Sequence, residues 1–182
     1  MIIIYIVLGL VVVLGIVFWL IYNKLITASN VVDEAYSGID VQLKKRYELI
    51  PNLIEAVKGY NAHEANLLQK IVENRSGISS LTDVAQQDAS LTTALKTLRV
   101  QVENYPDLKS NTQFLKLMEN LSEVENELAM ARRYYNGATR DYNTKIQVFP
   151  NSIIASMTKA VSRPFYKIPE GEDVAPVIDL SK

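Results

Sequence analysis

The stretch LMENLSEVENELAMARRYYNGATRDY, Leu117–Tyr142, carries the plainest pattern in the chain. Leu117, Leu121, Val124, Leu128, Ala131, Tyr135, Ala138 and Tyr142 alternate four and three residues apart. An α-helix turns every ~3.6 residues, so this spacing draws one apolar seam along one side of a helix. A strand would instead alternate with a period of two. Sustained heptad spacing predicts long helices packed side by side at shallow angles, and the expected class is all-α.

Working upstream, VENYPDLKSN (Val102–Asn111) interrupts the periodicity. Pro106 removes a backbone donor and pushes Tyr105 out of the helical region. Asp107 or Ser110 is placed to cap the incoming helix, with Ser110 and Gln113 spaced as a capping box, and Asn104 to close the outgoing one. Each polar group has a helix-end role that needs no substrate, so the stretch reads as a hairpin corner at one end of a bundle, where Tyr105 and Asp107 can meet a neighbour. Before it, Leu91, Leu95, Leu98 and Val102 mark a second helix starting near Ser80, while residues 76–90 are polar and show little period.

Earlier still, Tyr36, Ile39, Leu43, Ile50, Leu53, Val57, Tyr60, Leu67 and Ile71 recur at helical spacings from Asn30 onward. Pro51 inside this run predicts a bend, and Ser76-Gly77 a stop after Arg75. Downstream of the opening stretch, Phe149-Pro150 ends the long helix. Ser152 is placed to cap a short helix through about Val161, and Arg163-Pro164 closes it. Residues 163–182 form an expected flexible tail. The architecture that follows is three long helices and a shorter fourth in an elongated antiparallel bundle over residues 24–162.

The segment Ile2–Tyr22, IIIYIVLGLVVVLGIVFWLIY, has no charge and no proline. Its 21 residues span about 31 Å as a helix, the thickness of a hydrocarbon core. Ile2 and Tyr5 mark one end, and Trp19 and Tyr22 form an aromatic belt at the other, with Lys24 at headgroup depth. A cleaved signal peptide would need a basic start and a shorter apolar run, so an uncleaved anchor over residues 1–23 is expected. Lys24, Lys44, Lys45 and Arg46 follow the span and no Lys or Arg precedes it. This places the N-terminus outside and the helical domain in the cytoplasm.

Composition narrows the chemistry. The formal net charge is −1, with 19 basic and 20 acidic residues and no cysteine. There is no global basic field for nucleic acid, and no disulfide, thiolate nucleophile or Cys-based metal site is possible. His63 is the single histidine, and no Glu-x-x-His pair, Gly-x-Ser-x-Gly elbow or glycine-rich phosphate loop accompanies it. Glu123 and Glu127, one turn apart, read as a solvated face. Two charges interrupt the apolar stripe: Arg46 lies seven residues after Ile39 and four before Ile50, and Glu64 fills the equivalent gap between Tyr60 and Leu67. A charge in a seam is costly unless paired and can fix register, so both are expected to find partners across the bundle or in an oligomer. Tyr-Asn pairs recur at Tyr60-Asn61, Tyr135-Asn136 and Tyr142-Asn143, and read as amphipathic tyrosines closing the core with asparagine hydrogen-bonding beside them.

Taken together, the anchor, GIDVQLKKRYELIPNLIEAVKGYNAHE (Gly38–Glu64), VENYPDLKSNTQFLKL (Val102–Leu117), ENELAMARRYYNGATRDYN (Glu125–Asn143) and Phe149-Pro150 resemble the LemA family. The likeness covers nearly the whole chain in order. Lys45 stands where the family's pattern often has a second arginine, which keeps the charge but loses bidentate contacts. The resemblance implies a bacterial, membrane-anchored helical bundle with no established enzymatic activity, some of whose relatives are associated with membrane remodelling or organelle formation. It supplies no catalytic residues.

The leading expectation is a non-enzymatic scaffold of the bacterial inner membrane. It would have no cofactor or metal, and the lipid bilayer and further copies of itself as partners. Arg46, Pro51, Glu64, Asn104, Tyr105, Pro106, Asp107, Arg132, Arg133, Tyr135, Asn136, Tyr142 and Asn143 are its candidate register or interface residues. An adaptor that recruits a protein partner through PEGEDVAPVIDL (Pro169–Leu180) is the alternative, and an enzyme built on carboxylate-bound metal is the third.

Overall fold

The computed structural model describes residues 1–59, 69 and 80–167. Among these, helices are the only regular element: α1 (Ile2–Lys58), α2 (Leu81–Val102), α3 (Pro106–Lys109), α4 (Thr112–Gln147) and α5 (Asn151–Met157). The protein is all-α. It divides into two compact units, Met1–Asp40 with Met130–Phe165 and Val41–Ala129 with Tyr166–Lys182.

In the first unit α1 begins as a wholly apolar helix whose residues from Met1 to Leu20 are all exposed. The same helix then turns one face inward, and Ile21, Leu25, Ala28, Val32, Ala35 and Ile39 are buried at steps of three and four. Residues 24–29 are part of this helix, so no linker separates the apolar segment from the packed one. The last part of α4 lies antiparallel beside it. Tyr36 meets Tyr135, with ring centroids 5.9 Å apart, whereas Ile146, further along α4, packs on the cluster of Ile21, Leu25, Ile154 and Ala155.

The second unit is built on three seams. α1 contributes Leu43, Arg46, Ile50, Leu53 and Val57, α2 contributes Asp88, Leu91, Leu95, Leu98 and Val102, and α4 contributes Phe114, Leu121 and Leu128. A fully buried Leu or Ile contributes about 1.5–3 kcal/mol. An exposed pair such as Lys58–Glu55, at 3.7 Å, contributes about 0–1 kcal/mol. The seams therefore hold the unit together. Along α4 the positions seven apart from Phe114 through Leu121 and Leu128, and in the first unit Tyr135 and Tyr142, are all buried, while Leu117, Val124, Ala131 and Ala138 are half-buried.

Several helix ends differ from the sequence reading. α1 ends at Lys58, with Gly59, a poor helix former, in a turn, and the expected continuation to Arg75 lies outside the described residues. Tyr60, His63, Glu64, Leu67, Ile71 and Ser76-Gly77 lie outside the described residues. Pro51 lies inside α1. The N-cap of α4 is Asn111, whose Oδ1 accepts from the amides of Gln113 at 2.9 Å and Phe114 at 3.1 Å. Ser110 instead donates to the carbonyl of Asp107 at 3.1 Å, so the expected Ser110–Gln113 box does not form. Asn111→Ala is expected to cost about 1 kcal/mol, read as a lower Tm of the full-length protein in detergent.

The short α5 has Pro150 at its N-cap and no side-chain cap, so Ser152 lies within the helix. It ends at Met157, not near Val161. The amide of Ala160 donates to Ala155 at 2.9 Å and that of Lys159 to Ser156 at 3.2 Å, and Lys159 has a φ of 55°. This is a Schellman closure, with lysine where glycine is usual.

Candidate functional site

Arg46 and Asp88 occupy seam positions of α1 and α2, and each is only 1% exposed. The Arg46 Nη1 donates to Asp88 Oδ1. Its Nη2 donates to Thr92 Oγ1 at 2.9 Å and to Glu125 Oε1 of α4 at 3.1 Å. The Tyr166 hydroxyl donates to the other Asp88 oxygen at 2.8 Å, and Arg99 reaches Glu125 Oε2 at 3.3 Å. Two cations and two carboxylates thus form a closed cluster joining three helices and the segment after α5. Asp88 has both oxygens engaged and is almost wholly buried, which suits it to holding register between helices. Arg46 finds its partners within this chain.

The neighbouring Lys44 and Lys45 are exposed, as consecutive positions on a helix require. Asp88 lies three residues before Leu91, in phase with the α2 stripe, so a seam charge opposite Arg46 was readable there. Tyr166 had no periodic signal, since it belongs to an aperiodic segment.

In the first unit the Tyr-Asn pairs also contact that segment. Asn143 Nδ2 donates to the Arg163 carbonyl at 2.9 Å, and its Oδ1 accepts from the Arg163 amide at 2.8 Å. Tyr135 donates to the carbonyl of Pro164 at 2.8 Å. The Arg163 side chain extends to Asp33 of α1 at 3.2 Å. Tyr142 is buried, Arg132 and Asn136 are half-buried, and Arg133 is exposed. Arg163 and Pro164, the first residues of the expected tail, thus have paired backbone groups. Residues 168–182 lie outside the described residues.

Tyr36, packed against Tyr135, has its phenol raised above the ordinary 10.0, chiefly by burial, with Asp40 and Tyr135 adding to the shift. The folded chain then resists ionisation that the unfolded chain accepts. Its stabilising contribution is complete below pH 10.0 and is lost as pH rises through the folded value. Tyr36→Phe should make the alkaline fall of Tm shallower, as thermal melts across that range would show.

At the α2–α4 corner, Tyr105 has left the helical region with φ −124° and ψ 84°, and Pro106 opens α3. The amide of Asn104 donates to Gln101 at 2.9 Å. Asp107 is exposed, and Leu108 is buried beneath the corner. At the other end of the chain, Ile2, Tyr5, Trp19, Tyr22 and Lys24 all face outward, with Phe18 and Tyr22 stacked at 6.3 Å.

Concave features are modest. A groove of about 510 Å³ in the second unit is lined by Asn52, Glu55, Ala56, Gln113, Lys116, Leu117 and Asn120. Among the described residues no three His, Asp or Glu side chains are grouped to hold a metal ion.

Comparison with known proteins places this geometry. Protein LemA of Metamycoplasma hominis is 27% identical over 147 residues, covering 76% of this chain and 67% of that protein. Magnetosome protein MamQ 2 and magnetosome protein MamQ 1 of Paramagnetospirillum magneticum are each 25% identical over 166 residues, covering 75% of this chain and 61% of theirs. The chain thus spans about three-fifths to two-thirds of the length of these relatives. The sequence profile of the LemA family matches residues 35–180, or 146 of the 182, taking in the Arg46 cluster, the corner and the Tyr135–Asn143 clasp, and the chain belongs to the LemA family.

Proposed function

We propose that the protein is a non-enzymatic, single-pass membrane scaffold that self-associates through its long helices and organises or bends the membrane holding it. The carrying observation is the exposed apolar run from Met1 to Leu20, which continues as one helix into a packed bundle. A buried Leu, Ile or Val side chain gains about 1.5–3 kcal/mol, so leaving this run in water would cost on the order of tens of kcal/mol. A bilayer removes that cost.

Self-association is supported by apolar surface that the chain's own packing leaves open, notably Met130 and Tyr134 one turn apart on α4 and Leu115 nearer its start. Two relatives carry the name of magnetosome proteins, which fits a role at a membrane. Lys24 after the span favours helices in the cytoplasm and the N-terminus outside, in a bacterial inner membrane. The formal net charge of −1 offers no field for nucleic acid. The adaptor alternative rests on Pro169–Leu180, outside the described residues.

Reconstitution of the full-length protein in liposomes tests the proposal. Electron microscopy should show protein clustered on vesicles of altered shape. Smooth, unchanged vesicles bearing dispersed protein would sink it.

A further inference from the structure

The corner between α4 and α5 presents an unusual amount of apolar side chain. Val148 is 45% exposed, Phe149 80%, Ile153 53% and Met157 66%. Ile153 and Met157 stand one turn apart on α5, while Ile154 and Ala155 on its other side are buried against Ile21 and Leu25 of α1. Ile21 and Leu25 bracket the end of the apolar segment, directly before and after Tyr22 and Lys24.

The depth of the corner follows from the direction of α4. That helix runs antiparallel to α1 in this unit, from Tyr135 beside Tyr36 to Ile146 beside the Ile21–Leu25 cluster. Continuing past Ile146, the chain carries Val148 and Phe149 further toward the aromatic belt of Phe18, Trp19 and Tyr22. Lysines flank the patch. Lys145 and Lys159 are both exposed, and each adjoins a residue packed on that cluster, Ile146 and Ala160. Lys159 holds a left-handed backbone conformation, φ 55°, that glycine adopts more easily.

We propose that this corner is a second membrane contact: Val148, Phe149, Ile153 and Met157 enter the interfacial layer of the leaflet from which α1 emerges, with Lys145 and Lys159 among its anionic headgroups. The occupant is lipid because the patch adjoins the end of the segment read as spanning the bilayer. Apolar side chains rimmed by lysine are also the composition that interfacial elements use. The inference rests on Ile2–Tyr22 being a span, and a short helix at that depth would fix how α1 leaves the membrane.

The absence of cysteine and the single Trp19 allow a clean test. Full-length Ile153→Cys, Met157→Cys and, as a control on α4, Arg133→Cys are labelled with an environment-sensitive fluorophore. Each is reconstituted in phosphatidylglycerol–phosphatidylcholine vesicles containing lipid with a nitroxide near the headgroup end of the acyl chain. A face buried about 5–10 Å into the interface should lose about half of its emission at both α5 positions, with Trp19 quenched and the Arg133 position unchanged. Quenched Trp19 with unquenched α5 labels would overturn the corner contact and leave the span standing. Labels shielded from aqueous iodide yet unquenched by lipid would assign the patch to a second copy and also overturn it. Unquenched Trp19 would remove the span and the inference with it.

Discussion

Replacing Asp88 with alanine should lower the stability of the full-length protein by about 3–5 kcal/mol, the loss expected when one member of a buried pair is removed and an uncompensated charge remains. Arg46 would keep Glu125, but that carboxylate is 26% exposed and shared with Arg99, so it replaces little of what Asp88 supplies. Arg46→Met should cost a similar amount, because it leaves the Asp88 carboxylate buried with only the Tyr166 hydroxyl of its side-chain partners named above. Joining Arg46→Met to Asp88→Leu removes both charges from the seam, and the double variant should recover most of the loss. Glu125→Ala, at the solvent edge, should cost only about 1 kcal/mol. Thermal unfolding of these variants in detergent, with Asp88→Leu alone to close the cycle, gives the coupling. Single variants as stable as the parent would mean that the cluster does not hold these helices in register.

The second large effect is expected at Asn143. Its carboxamide satisfies both the amide and the carbonyl of Arg163, and Asn143→Leu would leave those part-buried backbone groups without it. The expected loss is about 2 kcal/mol, from two hydrogen bonds and the desolvation they had offset. Loosening of the segment after α5 should accompany it, because what then remains there is Tyr135 on the next carbonyl, the solvent-facing Arg163–Asp33 pair and the Tyr166 hydroxyl on Asp88. Limited proteolysis should then cut near Arg163 in the variant and not in the parent. Equal cleavage in both would show that the clasp does not order this segment.

Periodic apolar residues explain what was legible beforehand. The α4 seam through Leu121, Leu128, Tyr135 and Tyr142 was visible because heptad spacing is a property of the helix itself. Arg46 was visible as a charge breaking such a seam. Its partner was not found, since Asp88 lies in a polar stretch whose helical phase emerges only when it is extended backward from Leu91. Helix ends were less legible, because Asn111, Ser110 and Asp107 all carry groups able to cap and only the turn geometry selects Asn111. Tyr166 and Arg163 depend on contacts distant in sequence, for which an aperiodic segment carries no signal. In the short α5 the sequence carries no period that separates Ile153 and Met157 from Ile154 and Ala155, and packing alone shows that the latter pair is buried.

The proposed scaffold requires copies of the protein to associate in the membrane. Counting photobleaching steps of singly labelled full-length protein, reconstituted at low density in lipid vesicles, measures this most directly. Multi-step traces at densities where random co-occupancy is negligible are the expected result, with association retained in the Arg46→Met/Asp88→Leu variant, whose charges are satisfied inside one chain. Single-step traces throughout, from protein still inserted in the bilayer, would contradict a self-assembling scaffold.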